Sequence, residues 1–343
     1  MKELTNLIEE STAKLFEDFG ASDGIKQMES GMFPAELWKA FIDDGWLSTM
    51  LTEEEGGAGL GLAGGCVLMR LAGYHCVPLP VVESLIATSL LAKVSQTNEQ
   101  SLIVPAIVTE QETAEDIKIN GVPWARHAKA IAVIQETDTG CSISTVSVAD
   151  IDLEIGANMA GEPRDDLSIN QKNLVNAKQI DGLTVNQIQS WLALGRAAQI
   201  AGALQKTLEM TVNYANERKQ FGRQIGKFQA VQQQLAVQAE LSYAARCGVD
   251  TAILHLDSEQ EWECIAGAKI SAAEAAGTAA TTAHAVHAAI GFTEEYALQL
   301  STRRLWSWRD EYGSEIEWSI KLGNYLMCLD GDNLWNNLTK QTA

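Results

Sequence analysis

The sequence predicts a mainly α-helical protein with a small β domain in the middle of the chain. Proline-poor segments with helical apolar spacing occupy both ends of the chain. Short β-branched runs separated by polar turns lie between them. We place an N-terminal helical domain at residues 1–103, a small β domain at 104–178 and a C-terminal four-helix bundle at 179–343.

Composition indicates an ordinary globular protein. The chain has 343 residues, 46% hydrophobic and 20% charged, which suits two or three compact domains. Its net charge of −20 repels nucleic acid and anionic lipid surfaces. With no signal peptide pattern and no apolar run of membrane-spanning length, we expect a cytoplasmic protein. The six scattered cysteines are expected to be buried and reduced.

Helical and strand patterns alternate along the chain as the fold class requires. In the first domain, Leu37, Phe41 and Ile42 lie on one helix face, and Pro78 and Pro80 mark a break before the next helix. The composition then changes near Ser101. The predicted strands are centred on residues 103–108, 117–119, 130–134 and 143–146, and the strand pattern ends near residue 174.

The C-terminal part reads as four long helices with short connections, the pattern of an antiparallel bundle. Thr184 and Gln187 fit a capping box before a helix that runs to about Asn216. A second helix follows Phe228, and a third is alanine-rich over about 261–287. The fourth is expected over roughly the last thirty residues, with Trp306, Trp308 and Trp318.

Two short motifs have plainer explanations than the functions they suggest. Gly59–Gly64 matches the G-x-G-x-x-G dinucleotide fingerprint, but acidic residues and helices surround it where a strand should precede it. A turn between helices is the better interpretation. His284 and His287 could face one metal ion, yet no carboxylate or cysteine completes a ligand set nearby in sequence. We therefore predict no metal site.

The most informative segment is basic and lies between two long helices of an acidic chain. Residues 216–229 read NERKQFGRQIGKFQ, and guanidinium groups suit phosphate recognition, although a solvated interhelical loop is the plain alternative. The segment resembles the R-x-x-F-G-x-x-I-x-x-F-Q-x-x-Q-x-x-L-A signature of acyl-CoA dehydrogenases. The matching residues are Arg218, Phe221, Gly222, Ile225, Phe228, Gln229, Gln232, Leu235 and Ala236.

The same resemblance extends over most of the chain. Residues 53–60 resemble the P-E-E-x-G-G-x-G loop of the family, and Ile119-Asn120-Gly121 with Trp124 resembles its I-N-G-x-K-x-W element. Residues 290–296 resemble its G-F/Y-x-x-x-Y/F stretch. The glycine pair before that stretch is Ala288-Ala289 here, and Ala285 replaces a glutamine usual in the family. The family's E-P-G-x-G-S-D loop is not recognisable around residues 109–116.

The resemblance implies an FAD site shared between subunits. In the family, FAD lies in a cleft of one subunit and the neighbouring subunit adds contacts. By resemblance, Arg218 would reach the pyrophosphate, and Gln220, Phe221 and Gln229 would contact the adenosine side. The chain is therefore expected to form a homo- or hetero-oligomer with another acyl-CoA dehydrogenase-like subunit. Electron-transferring flavoprotein is the electron acceptor that the family implies.

The family reaction needs a carboxylate base near the α carbon of the thioester. Most members place a glutamate before the glycine of a Y-E-G-T-like loop, which aligns Tyr312 with the base and leaves Glu311 and Asp310 as candidates one or two residues earlier. Other members take the base from the preceding long helix, where Leu192 stands here. These departures resemble heteromeric members, some of which act on CoA thioesters of steroid side chains.

Three functions follow from the resemblance. The first is FAD-dependent α,β-dehydrogenation of an acyl-CoA, from fatty acid or steroid side-chain catabolism, by a heteromer that contains this chain. The second is a non-catalytic structural or regulatory partner with the same fold. The third is a flavin oxidase or monooxygenase. The aromatic and basic residues 303–313 could border CoA or flavin, or form an ordinary packing helix.

Overall fold

The computed structural model describes residues 2–18, 21–96, 101–108, 115–174, 176–329 and 334–335. These divide into two compact units, one ending at Gly195 and the other beginning at Arg196. The family's loop sought at 109–116 lies almost wholly outside the described residues. The three-domain division at residues 103 and 178 stays a prediction. None of the described helices is long and apolar enough to span a membrane.

The first unit begins with helices whose apolar faces pack together. These are α1 Lys2–Asp18, α2 Ala21–Glu29, α3 Ala35–Asp43, α4 Gly61–Tyr74 and α5 Val81–Lys93. Helix α5 is buried on every side from Val81 to Leu91, which explains its nearly continuous apolar sequence. The glycine-rich stretch is a turn that leads into α4, with Gly59 and Gly61 at φ of 67° and 57°. In the described part of the chain it is preceded by helices, whereas a dinucleotide fingerprint follows a strand.

Among the described residues, seven strands follow in two sheets. They are β1 Ile103–Ile107, β2 Asp116–Pro123, β3 Ala130–Thr137, β4 Gly140–Ser147, β5 Asp152–Glu154, β6 Arg164–Asn170 and β7 Lys178–Asp181. One sheet has the order β1-β3-β4-β7, with β1 and β3 parallel, and the other has the order β2-β6-β5. The first four strands were predicted. The expected end near residue 174 was wrong, because β7 pairs with β4 beyond it.

The long helix α6 Val185–Glu217 begins at the predicted capping box. The Thr184 backbone N–H donates to Gln187 Oε1 at 3.0 Å, and the Gln187 N–H donates to Thr184 Oγ1 at 3.2 Å. These two bonds satisfy donors that a helix start otherwise leaves without partners. The capping box therefore fixes the point at which strands give way to helices.

The second unit contains α6 from Arg196 onward and the helices that follow it. They are α7 Gln229–Leu254, α8 Glu261–His287, α9 Leu298–Trp308 and α10 Glu315–Met327. Small side chains bring α7 and α8 close together, since a Cβ on Gly248 would lie 3.2 Å from the Ala268 Cα. The prediction of one uninterrupted fourth helix was wrong. A turn at 309–314 separates α9 from α10, because Tyr312 and Gly313 adopt φ of 56° and 99°.

The described cysteines are all free thiols, as the sequence predicts. Cys66, Cys76, Cys141 and Cys264 are buried, and burial raises the pKa of the Cys66 thiol to about 12. The expectation that all six are buried was wrong, because Cys247 and Cys328 are exposed.

Candidate functional site

The basic segment after α6 forms a two-stranded hairpin. Its strands are β8 Lys219–Gln220 and β9 Arg223–Gln224, joined by Phe221 and Gly222. Both turn residues have positive φ, 54° and 78°, as a two-residue hairpin turn of the type I′ class requires. The turn projects the Phe221 ring outward with 91% of its surface exposed. An exposed aromatic ring at a hairpin tip is suited to contact with another molecule.

Aromatic and cationic groups stack at the base of this hairpin. The Arg223 guanidinium carbon lies 4.1 Å from the centre of the Phe228 ring, and the Phe221 ring meets Phe228 edge-on at 6.1 Å. The backbone N–H of Ile225 donates to the Arg218 carbonyl at 2.8 Å and closes the turn. The hairpin is thus held by its own side chains, with Arg218 and Lys219 exposed.

The structure brings three of the four predicted FAD-binding residues onto this hairpin. Arg218, Gln220 and Phe221 are consecutive or nearly so and all are exposed. Gln229 is exposed in the first turn of α7, where backbone N–H groups favour anions. Guanidinium, amide and aromatic groups at one surface suit a ligand that joins an anion to a planar ring. The chemistry of the donor set therefore fits FAD, with its pyrophosphate and adenine.

The candidate base residues lie on the turn between α9 and α10. The carboxylate of Glu311 forms an ion pair with Arg196, with Oε2 2.9 Å from the guanidinium nitrogen. Its side chain is 17% exposed, whereas that of Asp310 is 64% exposed. Asp310 Oδ1 lies 3.5 Å from Arg309 Nε. Leu192, at the other base position of the family, is buried in α6.

Two buried cations that the sequence did not predict lie beside this turn. Arg196 and Lys269 are 3% and 0% exposed. Lys269 Nζ donates to the Arg309 carbonyl at 2.6 Å. Burial, and next the Arg196 charge, lower the pKa of Lys269 to about 8. The only signal in the sequence is a lone charge within each of two apolar helical segments, which does not show where the partner lies.

A second cluster surrounds the two histidines of α8. His287 Nδ1 bonds to the Ala283 carbonyl at 2.8 Å, which makes it the donor, and Nε2 lies 3.2 Å from the Tyr296 hydroxyl. The Tyr214 ring stacks on His287 at 4.4 Å. His284 Nε2 lies 2.8 Å from Thr302 Oγ1. Burial lowers the pKa of both histidines, which favours their neutral form.

The residue that follows α8 is an alanine, Ala288, with a backbone conformation typical of glycine. Ala288 has φ 54° and ψ −141°, a region that side chains disfavour. It stands where the resemblance places the first glycine of a pair. Ala288 therefore holds this conformation at a cost in strain.

Comparison with known proteins identifies related sequences and folds. A family model described as acyl-CoA dehydrogenase, N-terminal domain, matches residues 3–111, and one described as acyl-CoA dehydrogenase, C-terminal domain, matches residues 185–309. Acyl-CoA dehydrogenase FadE27 of Mycobacterium tuberculosis is 27% identical over 307 residues, which covers 77% of this chain and 80% of the relative.

Two further comparisons cover more of the chain. Acyl-CoA dehydrogenase IpdE2 of Mycolicibacterium smegmatis is 27% identical over 312 residues, covering 89% of this chain and 93% of the relative. A chain of the ChsE4-ChsE5 complex from Mycobacterium tuberculosis matches with a TM-score of 0.84 at 21% identity, over 96% of this chain and 99% of that one. The structural match shows a shared fold.

Proposed function

This chain belongs to the acyl-CoA dehydrogenase family, and from that membership we propose that it is one subunit of a heteromer that shares a flavin site. The family carries out FAD-dependent α,β-dehydrogenation of acyl-CoA thioesters. The proposed assembly joins this chain to an unlike subunit of the same fold. The Arg218 hairpin would contact FAD bound in the cleft of that neighbour.

The observation that carries the proposal is the exposed hairpin. Arg218 and Phe221 are presented to solvent on a chain of net charge −20, at a tip that is held in shape by stacking. In such a chain, a local group of exposed cations is suited to an anionic ligand. The flavin, when bound, would accept the hydride from the β carbon of the substrate. Arg218 would hold the pyrophosphate, and Gln220, Phe221 and Gln229 would position the adenosine.

Exposed apolar side chains support an oligomer. Val237 and Tyr243 of α7 are 47% and 70% exposed, and Ile316 and Ile320 of α10 are 66% and 58% exposed. Ile316 and Ile320 lie about one turn apart on the same helix face. Large exposed apolar side chains are typical of surfaces that another subunit covers. The relatives also favour an unlike partner, since the structural neighbour ChsE4-ChsE5 is a complex of two differently named chains.

This chain has no carboxylate at either position where the family places its catalytic base. Tyr312 and Leu192 occupy the two family positions, and Asp310 and Glu311 are the candidates on the turn. In a heteromer the base can come from the unlike subunit. We propose acyl-CoA as the substrate and electron-transferring flavoprotein as the acceptor, as the family implies.

A second function, a non-catalytic partner subunit with the same fold, is favoured by one observation. The Glu311 carboxylate is already engaged by the buried Arg196 at 2.9 Å. A heteromer with normal flavin content and turnover after both Arg218→Ala and Glu311→Gln would support this alternative.

Arg218→Ala tests the proposed function. The purified complex should lose most of its flavin and its acyl-CoA dehydrogenase activity, because a charge-assisted contact to phosphate is removed. Arg246→Ala is the matched control, since Arg246 is partly exposed on α7 and its ion pair with Asp250, one turn away, is long at 3.7 Å. Flavin is measured by visible absorbance per mole of complex. Equal flavin content and activity in Arg218→Ala and wild type would contradict the proposal.

A further inference from the structure

The Glu311 carboxylate lies in a closely packed cationic and aromatic cluster. The guanidinium of Arg196 pairs with it at 2.9 Å and lies over the rings of Trp308 and Tyr312, at 5.6 and 5.3 Å from their centres. Arg196 also donates to Gln199 Oε1. Charges of this kind are stable inside a protein when they are matched by an opposite charge and by hydrogen bonds. Glu311 supplies the opposite charge.

A second buried cation increases the need for that carboxylate. Lys269 is fully buried and donates to the Arg309 carbonyl at 2.6 Å, at the start of the same turn. The charged groups that act on Lys269 are Arg196, Glu311, Asp310 and Glu317. A proton taken up by Glu311 would remove a negative charge beside two buried positive ones. This arrangement opposes the use of Glu311 as a proton acceptor.

The cluster also holds a strained turn in place. Tyr312 has φ 56°, which is uncommon for a residue with a bulky side chain. Its carbonyl accepts a hydrogen bond from Trp318 Nε1 at 3.0 Å, and the next residue, Gly313, could not carry a Cβ without meeting that indole at 2.6 Å. Ser314 then caps α10 in a capping box with Glu317. Strained conformations persist where the surroundings fix them from several sides.

We infer that Glu311 is a positioning residue: its carboxylate binds Arg196 and fixes the 309–314 turn, with the Tyr312 ring in place, and does not take the proton from the substrate. The inference rests on the proposed function for the substrate, because Tyr312 stands where the family places its base. The Arg196–Glu311 ion pair then determines the position of the 309–314 turn, and of the Tyr312 ring, relative to the acyl group of the substrate. The proton is taken by another group in the complex.

The test separates positioning from proton transfer in the purified heteromer. The variants are Glu311→Gln, Glu311→Met, Arg196→Met, the double Arg196→Met/Glu311→Met, and the conservative Arg196→Lys, with the exposed Glu259→Gln as control. For each, kcat, KM and the pH profile of kcat are measured with acyl-CoA. The thermal unfolding midpoint is measured on the same samples.

If Glu311 is a positioning residue, its substitution should change KM more than kcat. Glu311→Gln should raise KM several-fold and lower the unfolding midpoint by several degrees. Its kcat should stay within about tenfold of wild type with an unchanged pH profile, whereas loss of a general base costs about 100-fold or more. Arg196→Lys should recover most of the KM that Arg196→Met loses. The double variant should unfold nearer to wild type than either single, because an apolar pair can replace a buried ion pair.

Two results would overturn the inference. One is a fall in kcat of about 100-fold or more in Glu311→Gln with an unchanged midpoint, which identifies a base. The other is that the midpoint shift of the double variant equals the sum of the shifts of the Arg196 and Glu311 single variants. Additive shifts would show that the ion pair does not stabilise the turn. If the wild-type heteromer shows no dehydrogenase activity, the proposed function fails, and the midpoint cycle still decides whether Arg196 and Glu311 fix the turn.

Discussion

Gly313→Ala should destabilise the helical unit that begins at Arg196, because Gly313 adopts a conformation that only glycine tolerates well. Its φ is 99°, and a Cβ built there lies 2.6 Å from Trp318 Nε1 and 3.0 Å from Trp318 Cδ1. Trp318 is 2% exposed, so its ring has little room to move aside. The same ring donates the hydrogen bond to the Tyr312 carbonyl.

The magnitude follows from three contributions. An L-residue in the left-handed region costs about 1–2 kcal/mol. Displacing a well-packed buried indole costs about 1–3 kcal/mol, and its lost hydrogen bond costs about 1 kcal/mol. These contributions overlap, so we expect Gly313→Ala to lower the free energy of unfolding by about 3–5 kcal/mol.

Urea denaturation followed by tryptophan fluorescence measures this change. Gly323→Ala is the matched control, since Gly323 lies within α10 and a Cβ there meets nothing within 4 Å. Alanine within a helix should stabilise by about 0.5–1 kcal/mol relative to glycine. If Gly313→Ala unfolds at the same urea concentration as wild type, the account of the turn is wrong.

Two further predictions concern a strained backbone position and a buried charge. Ala288→Gly should raise the free energy of unfolding by about 1 kcal/mol in the same urea assay, because glycine relieves the strain at φ 54°; a lower midpoint would show that Ala288 is unstrained. Because the pKa of Lys269 is lowered from 10.5 to about 8, the unfolded chain binds more protons at this residue between those pH values, and the group contributes stability that grows as pH rises. The stability of wild type relative to Lys269→Met should therefore increase by about 3 kcal/mol from pH 8 to 10.5, and a difference that does not change with pH would contradict the assigned environment.

The features that sequence predicted are those set by neighbouring residues. The Thr184–Gln187 capping box needs only four residues, and the structure confirms both of its bonds. The basic segment at 216–229 was also predicted to lie between two long helices, which the structure confirms, whereas its hairpin form was not predicted. The capping box depends on local hydrogen bonding, which the residue types specify directly.

The features that sequence missed depend on distant residues or on weak patterns. The Arg196–Glu311 pair joins residues far apart in the chain, so neither position alone identifies its partner. The interruption between α9 and α10 needs positive φ at Tyr312, which its residue type does not predict. Strand β5 has only three residues, Asp152–Glu154, two of them acidic, and therefore lacks the β-branched pattern by which strands are recognised.

The visible absorption spectrum of this chain, purified alone and then together with any unlike acyl-CoA dehydrogenase subunit encoded beside it, tests the central claim most directly. A shared site predicts flavin absorbance in the co-purified complex and little or none in the chain alone. Absence of flavin from the complex would contradict the claim and favour the non-catalytic partner. Stoichiometric flavin in the lone chain would contradict sharing, and would show that this chain has a complete cleft of its own.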